Sequence, residues 1–198
     1  VWDADTGGTL LVIKISVDAG YANPDSLAST ALEVFADPAT GAPWLACATT
    51  QYGNDYGHVR VYDPIAGGET LVVIDVGSKV SALAFFMDQA TGELRLACGC
   101  WDGKVRIFDP VTGGEALVVI DVGSEVRALA VFPNPATGAS RLACGCFDGK
   151  VRTYDPVAGG EALLVLDGCS LVVFTDAATG APRLVTSYGK VFDPVAGG

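Results

Sequence analysis

The chain has 198 residues, 50% of them hydrophobic, so it can bury a substantial core, and its composition gives no sign of disorder. Its 23 acidic residues against 12 basic ones leave a formal charge of −11, which argues against nucleic acid and anionic lipid as partners. Gly, Asp and Pro break its apolar runs into pieces far shorter than the roughly 20 residues that span a bilayer, so membrane insertion is not expected.

The chain opens on "VWDADTGG", without an initiator Met or a signal-like stretch, and reads as a segment whose natural start lies elsewhere. "VWDADTGGTLLVI" is the first copy of a junction that returns as "VYDPIAGGETLVVIDVGS" at 61–78, "IFDPVTGGEALVVIDVGS" at 107–124 and "TYDPVAGGEALLVLDG" at 153–168. "VFDPVAGG" at 191–198 is the fifth copy. The copies bracket units at about 1–60, 61–106, 107–152 and 153–198, with a period of 46 between the middle copies. A fixed period of this length dictates an architecture of stacked repeats.

In the first unit, insertions around "SVDAGYANPDSLAS" and "TTQYGNDYGH" break the pattern. Loops that depart from a rigid repeat are where binding concentrates, and Tyr supplies stiff amphipathic contact area. Tyr21, Asn23, Asp25, Tyr52, Asn54, Asp55, Tyr56 and His58 are therefore candidate partner-binding residues, with drift in a surface loop as the competing reading. His58 is expected in an exposed hairpin.

The later units each read as four short strands. In the third, "VRALAVF" (126–132) is a strand, "PNPATGAS" a turn, and "RLACGC" (141–146) the next strand. "FDG" then predicts a two-residue type I′ hairpin, with Asp148 in the turn and Gly149 at positive φ; Asp102 and Gly103 repeat this in the second unit. "KVRTYD" is the third strand, "PVAGG" turns the chain, and "EALLVLD" is the fourth. No window carries a sustained 3.6-residue apolar period, so helices are not expected. Strands apolar at consecutive positions imply sheets covered on both faces. Four-stranded antiparallel sheets stacked in this way give an all-β fold of β-propeller blades.

These units resemble the WD-repeat β-propeller family. "LACGCWDGKVRIFD" matches the family's small-residue second strand, its Asp-bearing turn and a third strand that ends in Trp-Asp, and the resemblance covers nearly the whole chain. Only Trp2-Asp3 keeps that dipeptide; the later copies are Tyr62-Asp63, Phe108-Asp109, Tyr154-Asp155 and Phe192-Asp193, while Trp101-Asp102 falls in the preceding turn. The family's Gly-His signature would fall near "DVGSKV" (75–80) and "DVGSEV" (121–126), where Gly is present and His is not. In the family, a buried hydrogen-bond chain links that His to the turn Asp, a Ser or Thr, and the Trp. Here Cys100 and Cys146 stand for the Ser, and Phe108 and Tyr154 for the Trp. Packing of aliphatic and Cys side chains is expected to hold the blades in its place.

Cys98/Cys100 and Cys144/Cys146 occupy alternate strand positions, so each pair shares a face and two thiolates could converge. No His accompanies them. Core packing is favoured over disulfides among the six Cys and over a metal site. "DADTGG" at 3–8 begins like a calcium loop but has Lys14 where the bidentate Glu belongs, and reads as a turn.

The resemblance implies a non-catalytic scaffold for protein–protein interaction or assembly, without a cofactor. The alternative is a piece of a propeller enzyme such as a quinoprotein dehydrogenase, whose blades carry turns like "DPATG" (37–41), "DQATG" (88–92), "NPATG" (134–138) and "DAATG" (176–180). Unpaired thiols favour a cytoplasmic or other reducing compartment. Four units lie at the low end of the propeller range, so the expectation is a homodimer closing an eight-blade ring or membership of a larger assembly. "VWDADTGGTLLVI" at 1–13 offers an outer strand that could complete the last blade, although "VWDADTGG" and "VFDPVAGG" are copies of one junction and would compete for that position.

Overall fold

The computed structural model describes residues 27–51 and 56–196. Among them every regular element is a strand. The first sheet holds β1 (Leu27–Ala36), β2 (Pro43–Gln51), β3 (Gly57–Tyr62) and β4 (Val72–Asp75). The second holds β5 (Val80–Asp88), β6 (Glu93–Cys100), β7 (Lys104–Phe108) and β8 (Val118–Asp121). In the third are β9 (Val126–Pro133), β10 (Ser140–Cys146), β11 (Lys150–Tyr154) and β12 (Leu164–Asp167). The fourth contains β13 (Leu171–Thr175), β14 (Pro182–Thr186) and β15 (Val191–Phe192). Each sheet is an antiparallel meander in chain order.

The first hairpin of every sheet is opened by a side chain that folds back on its own turn. Asp37 accepts the N–H of Ala39 at 3.2 Å through its carboxylate and that of Gly41 at 2.8 Å through its carbonyl. Asp88, Asn134 and Asp176 repeat the arrangement with Ala90, Ala136 and Ala178. The short polar side chain and the positive φ of the closing glycine together make this a sequence-coded turn.

β5 packs against both β1 and β9, and β9 against β13, so the first strand of each sheet is innermost and β4, β8 and β12 lie at the outer edges. Three cores fill the spaces between consecutive sheets. The first joins Phe35, Val59 and Ile74 to Leu83, Leu96 and Cys98, with the Phe35 and Phe85 rings stacked at 4.2 Å. The second joins Phe86, Ile107 and Ile120 to Leu142 and Cys144, and the third joins Phe132 and Leu166 to Leu184. Fully buried side chains such as Leu96 and Leu142 each contribute roughly 1.5–3 kcal/mol by leaving water.

The Cys-Gly-Cys runs belong to this packing. Cys98 and Cys100 face the first sheet, while Gly99 between them faces the third. A Cβ at Gly99 would sit 2.7 Å from Val126 Cγ1, and one at Gly145 would sit 2.4 Å from the Cys169 carbonyl oxygen. Glycine sets how closely the sheets approach.

The last sheet has three strands among the described residues. Its third strand is shorter because three residues separate Gly189 from Asp193, where five separate Gly103 from Asp109. The segment at 1–13 that could complete this sheet lies outside the described residues, as do Tyr21, Asn23, Asp25, Tyr52, Asn54 and Asp55. No packing comparable to that between consecutive sheets joins the last sheet to the first among the described residues.

Candidate functional site

The turns that precede the third strands are held by charged side chains. Asp102 accepts Arg106 Nη1 at 3.2 Å and Nη2 at 2.6 Å, and Asp148 accepts the same pair of bonds from Arg152 at 3.1 and 2.6 Å. The planar guanidinium fork matches a carboxylate with two parallel bonds, which fixes orientation as well as charge. Arg152 holds the Asp148 carboxyl below its usual range, and Asp148 in turn raises Arg152. In the first sheet the equivalent Arg60 is buried and donates to Thr49 Oγ1 at 2.6 Å. Packing therefore does not replace the missing hydrogen-bond chain alone, as the sequence suggested. An Arg on the third strand supplies a polar tether that the apolar pattern of "KVRIF" concealed.

The turn geometry also differs from expectation. Gly103 and Gly149 have φ of 80° and 77°, but Asp102 and Asp148 do not share the positive φ, so a type I′ turn, which needs two such residues in succession, is excluded at these Asp-Gly pairs. Gly103 N donates to Cys100 O at 3.3 Å and Gly149 N to Cys146 O at 3.2 Å. The loop is thus three residues long, a tight turn followed by a left-handed glycine, and it pushes the residue before each Asp outward.

That outward residue is aromatic. Trp101 is 40% exposed and Phe147 69%, and in the same turn of the fourth sheet Tyr188 is 63% exposed. The corresponding turn of the first sheet ends at Tyr56, 56% exposed. Lys79 Nζ lies 3.3 Å from the Trp101 ring centroid, and Arg127 Cζ lies 5.3 Å from Trp101 and 5.1 Å from Phe147, bridging the second and third sheets. Backbone bonds fix the platform: Trp101 N donates to Lys79 O and Phe147 N to Glu125 O, both at 2.9 Å. The result is one end of the molecule that presents an aromatic side chain from every sheet, interleaved with cations. Sequence reading set Trp101 aside as a misplaced copy of the Trp-Asp dipeptide; the recurring aromatic in "CWDG" and "CFDG" was the available signal.

Of the candidate loop residues, Tyr56 and His58 are described. His58 is half-buried in β3, paired in register with Thr49 and Asp75, and is not in a hairpin loop. Pairing resumes at Gly57 because the buried Val59 and Val61 set the register of this strand from its first residues. Tyr56 precedes β3 as the turns carrying Trp101, Phe147 and Tyr188 precede the third strands of the other sheets.

All six thiols are free. Burial raises the pKa of Cys98 and Cys144 well above the ordinary thiol value and pushes Cys100 up to about 11. Cys169 differs: it is half-buried, and the Ser187 hydroxyl, 3.4 Å from its Sγ, lowers its pKa. Among the described residues no cluster of three or more His, Cys, Asp or Glu is arranged to hold a metal ion. The carboxylates of the "DPATG" turns are engaged with their own backbone, as Asp176 is with Ala178 at 2.9 Å.

Residues 70–109, which run from β4 through β7, match the family model described as WD domain, G-beta repeat. That segment carries a WD repeat, and the other sheets repeat its antiparallel meander. No curated protein sequence matches the chain. Among solved structures, a chain of the mitotic checkpoint complex superposes on this chain with a TM-score of 0.65 and 18% identity, covering 100% of this chain and 56% of its own length. Sqt1 of Saccharomyces cerevisiae gives 0.62 and 17%, over 86% of this chain and 47% of its own. BBS1N, solved in complex with ARL6DN, gives 0.60 and 16%, over 86% and 53%. At these identities the likeness shows the fold, and this chain spans about half the length of those propellers.

Proposed function

We propose that the chain is a non-catalytic interaction scaffold that docks a protein partner on the end carrying Trp101, Phe147, Tyr188 and Tyr56. The aromatic row carries this reading. Large side chains that stay exposed on a backbone-braced platform offer contact area at little entropic cost, and aromatic and Arg side chains dominate binding energy in protein interfaces. Neighbours of the same fold act within assemblies, one in the mitotic checkpoint complex and one bound to ARL6DN, which supports a protein as the partner. Buried, unpaired thiols suit a reducing compartment.

The test is affinity capture from the source organism with the chain and two variants. Trp101→Ala/Phe147→Ala should reduce recovery of bound proteins at least tenfold without changing the melting temperature. Gln89→Ala, in the hairpin turn between β5 and β6, should leave recovery intact. Equal recovery with all three, or a stoichiometric quinone or calcium in the purified chain, would overturn the proposal in favour of another surface or an enzyme.

A further inference from the structure

The internal interfaces of this chain form a series whose next member has no partner within the described residues. On the trailing side of each sheet stands one Phe: Phe35, Phe86, Phe132 and Phe174, each fixed by register opposite Trp44, Arg95, Arg141 and Arg183. On the leading side, the residue one position earlier is Val34, Phe85, Val131 and Val173, opposite Leu45, Leu96, Leu142 and Leu184. Each trailing Phe joins the core shared with the leading residue of the next sheet. Phe35 stacks on Phe85, Phe86 shares a core with Val131, and Phe132 shares one with Val173. The members left over are Phe174 on the last sheet and Val34 on the first.

Both are open to solvent. Phe174 is 45% exposed, where Phe86 and Phe132 are 4% and 2%. Beside it Val172 is 64% exposed, and on the first sheet Leu32 and Val34 are 58% and 60%, whereas Leu83, the counterpart of Leu32, is 7%. These two surfaces are the two halves of an interface the chain already makes three times.

We infer that the occupant of each is a second copy of this chain, joined head to tail so that Phe174 of one copy packs on Val34 of the other at both junctions. Two chains then close a ring of eight sheets. The two faces do not meet within the chain among the described residues, so two is the smallest number of copies that gives each its complement, and a third copy would exceed the four to eight blades usual for propellers. Head-to-tail faces that do not close would instead propagate into filaments. The inference is independent of the docking surface proposed above, since the end bearing Trp101 lies off both faces.

Light scattering coupled to size exclusion reads the outcome on the full chain. The wild type should elute at twice its mass of 20.3 kDa. Val34→Arg and Phe174→Glu change residues exposed in the single chain and would set opposite charges against each other at the second junction of a mixed dimer, so each variant alone should stay folded by far-UV circular dichroism and elute as a monomer. Each retains one intact face, so mixing the two should restore a species of twice the monomer mass. A wild-type monomer, a ladder of larger species, or variants that stay dimeric would overturn the inference. Failure of the mixture to recover the dimer would overturn it as well.

Discussion

At the scale of single residues, charge in this chain is spent on holding turns. The Arg152 bonds keep Asp148 below its ordinary value of 3.8, so its contribution to stability is complete above about pH 4 and is lost as the pH falls through the folded-state value. Urea midpoints measured from pH 6 to pH 2.5 should therefore fall below about pH 4, and Asp148→Asn should flatten part of that fall. A variant profile parallel to the wild type would remove Asp148 from the tether. The thiols make a second prediction. Burial raises Cys47, Cys98, Cys100, Cys144 and Cys146, while the Ser187 hydroxyl lowers Cys169, so a thiol reagent at pH 8 should react quickly with one group and with the other five only after denaturation. Cys169→Ser should abolish the fast phase; its persistence would mean that a core thiol is accessible. The sequence made core packing of the Cys-x-Cys pairs readable, since alternate positions share a strand face. It did not distinguish Cys169, whose difference comes from a hydroxyl 18 residues away across a hairpin.

At the scale of the strand and turn, repetition in the sequence translated directly into meanders, because Asp, Asn and Gly punctuate the chain where the backbone must reverse. The turn type did not translate. Asp-Gly served as the close of a three-residue loop, and the residue before it, to which the sequence reading gave no role, became the exposed aromatic. The recurring Arg of Arg60, Arg106 and Arg152 was visible in the sequence, yet its role depended on the partner brought near it, the Thr49 hydroxyl for Arg60 and a turn carboxylate for Arg106 and Arg152. Two substitutions test the element-level account. Gly145→Ala would place a methyl group 2.4 Å from the Cys169 carbonyl oxygen, and overpacking of this kind typically costs about 1–3 kcal/mol. Gly103→Val would force a β-branched residue to φ of 80° with its Cβ 3.1 Å from Ser124 N, and should cost on the order of 1–2 kcal/mol or more. Chemical denaturation reads both, and an unchanged midpoint in either would contradict the assigned packing or turn.

At the scale of the whole molecule, four sheets give two ends of different character. At one end, hairpins at 37–41, 88–92, 134–138 and 176–180 are capped by their own Asp and Asn side chains. At the other, the turns at 101–103, 147–149 and 187–189 carry exposed aromatics braced on the backbone of neighbouring loops. The blade architecture was legible from the period and the strand pattern; the difference between the ends was not, because it depends on which turn residues the three-residue loops expose. Hydroxyl-radical footprinting of the chain with and without a captured protein partner tests the scaffold account most directly. The account predicts that Trp101, Phe147 and Tyr188 become protected by at least several-fold while side chains in the hairpins at 88–92 and 134–138 keep their reactivity. Protection confined to those hairpins, with Trp101 and Phe147 unchanged, would contradict it.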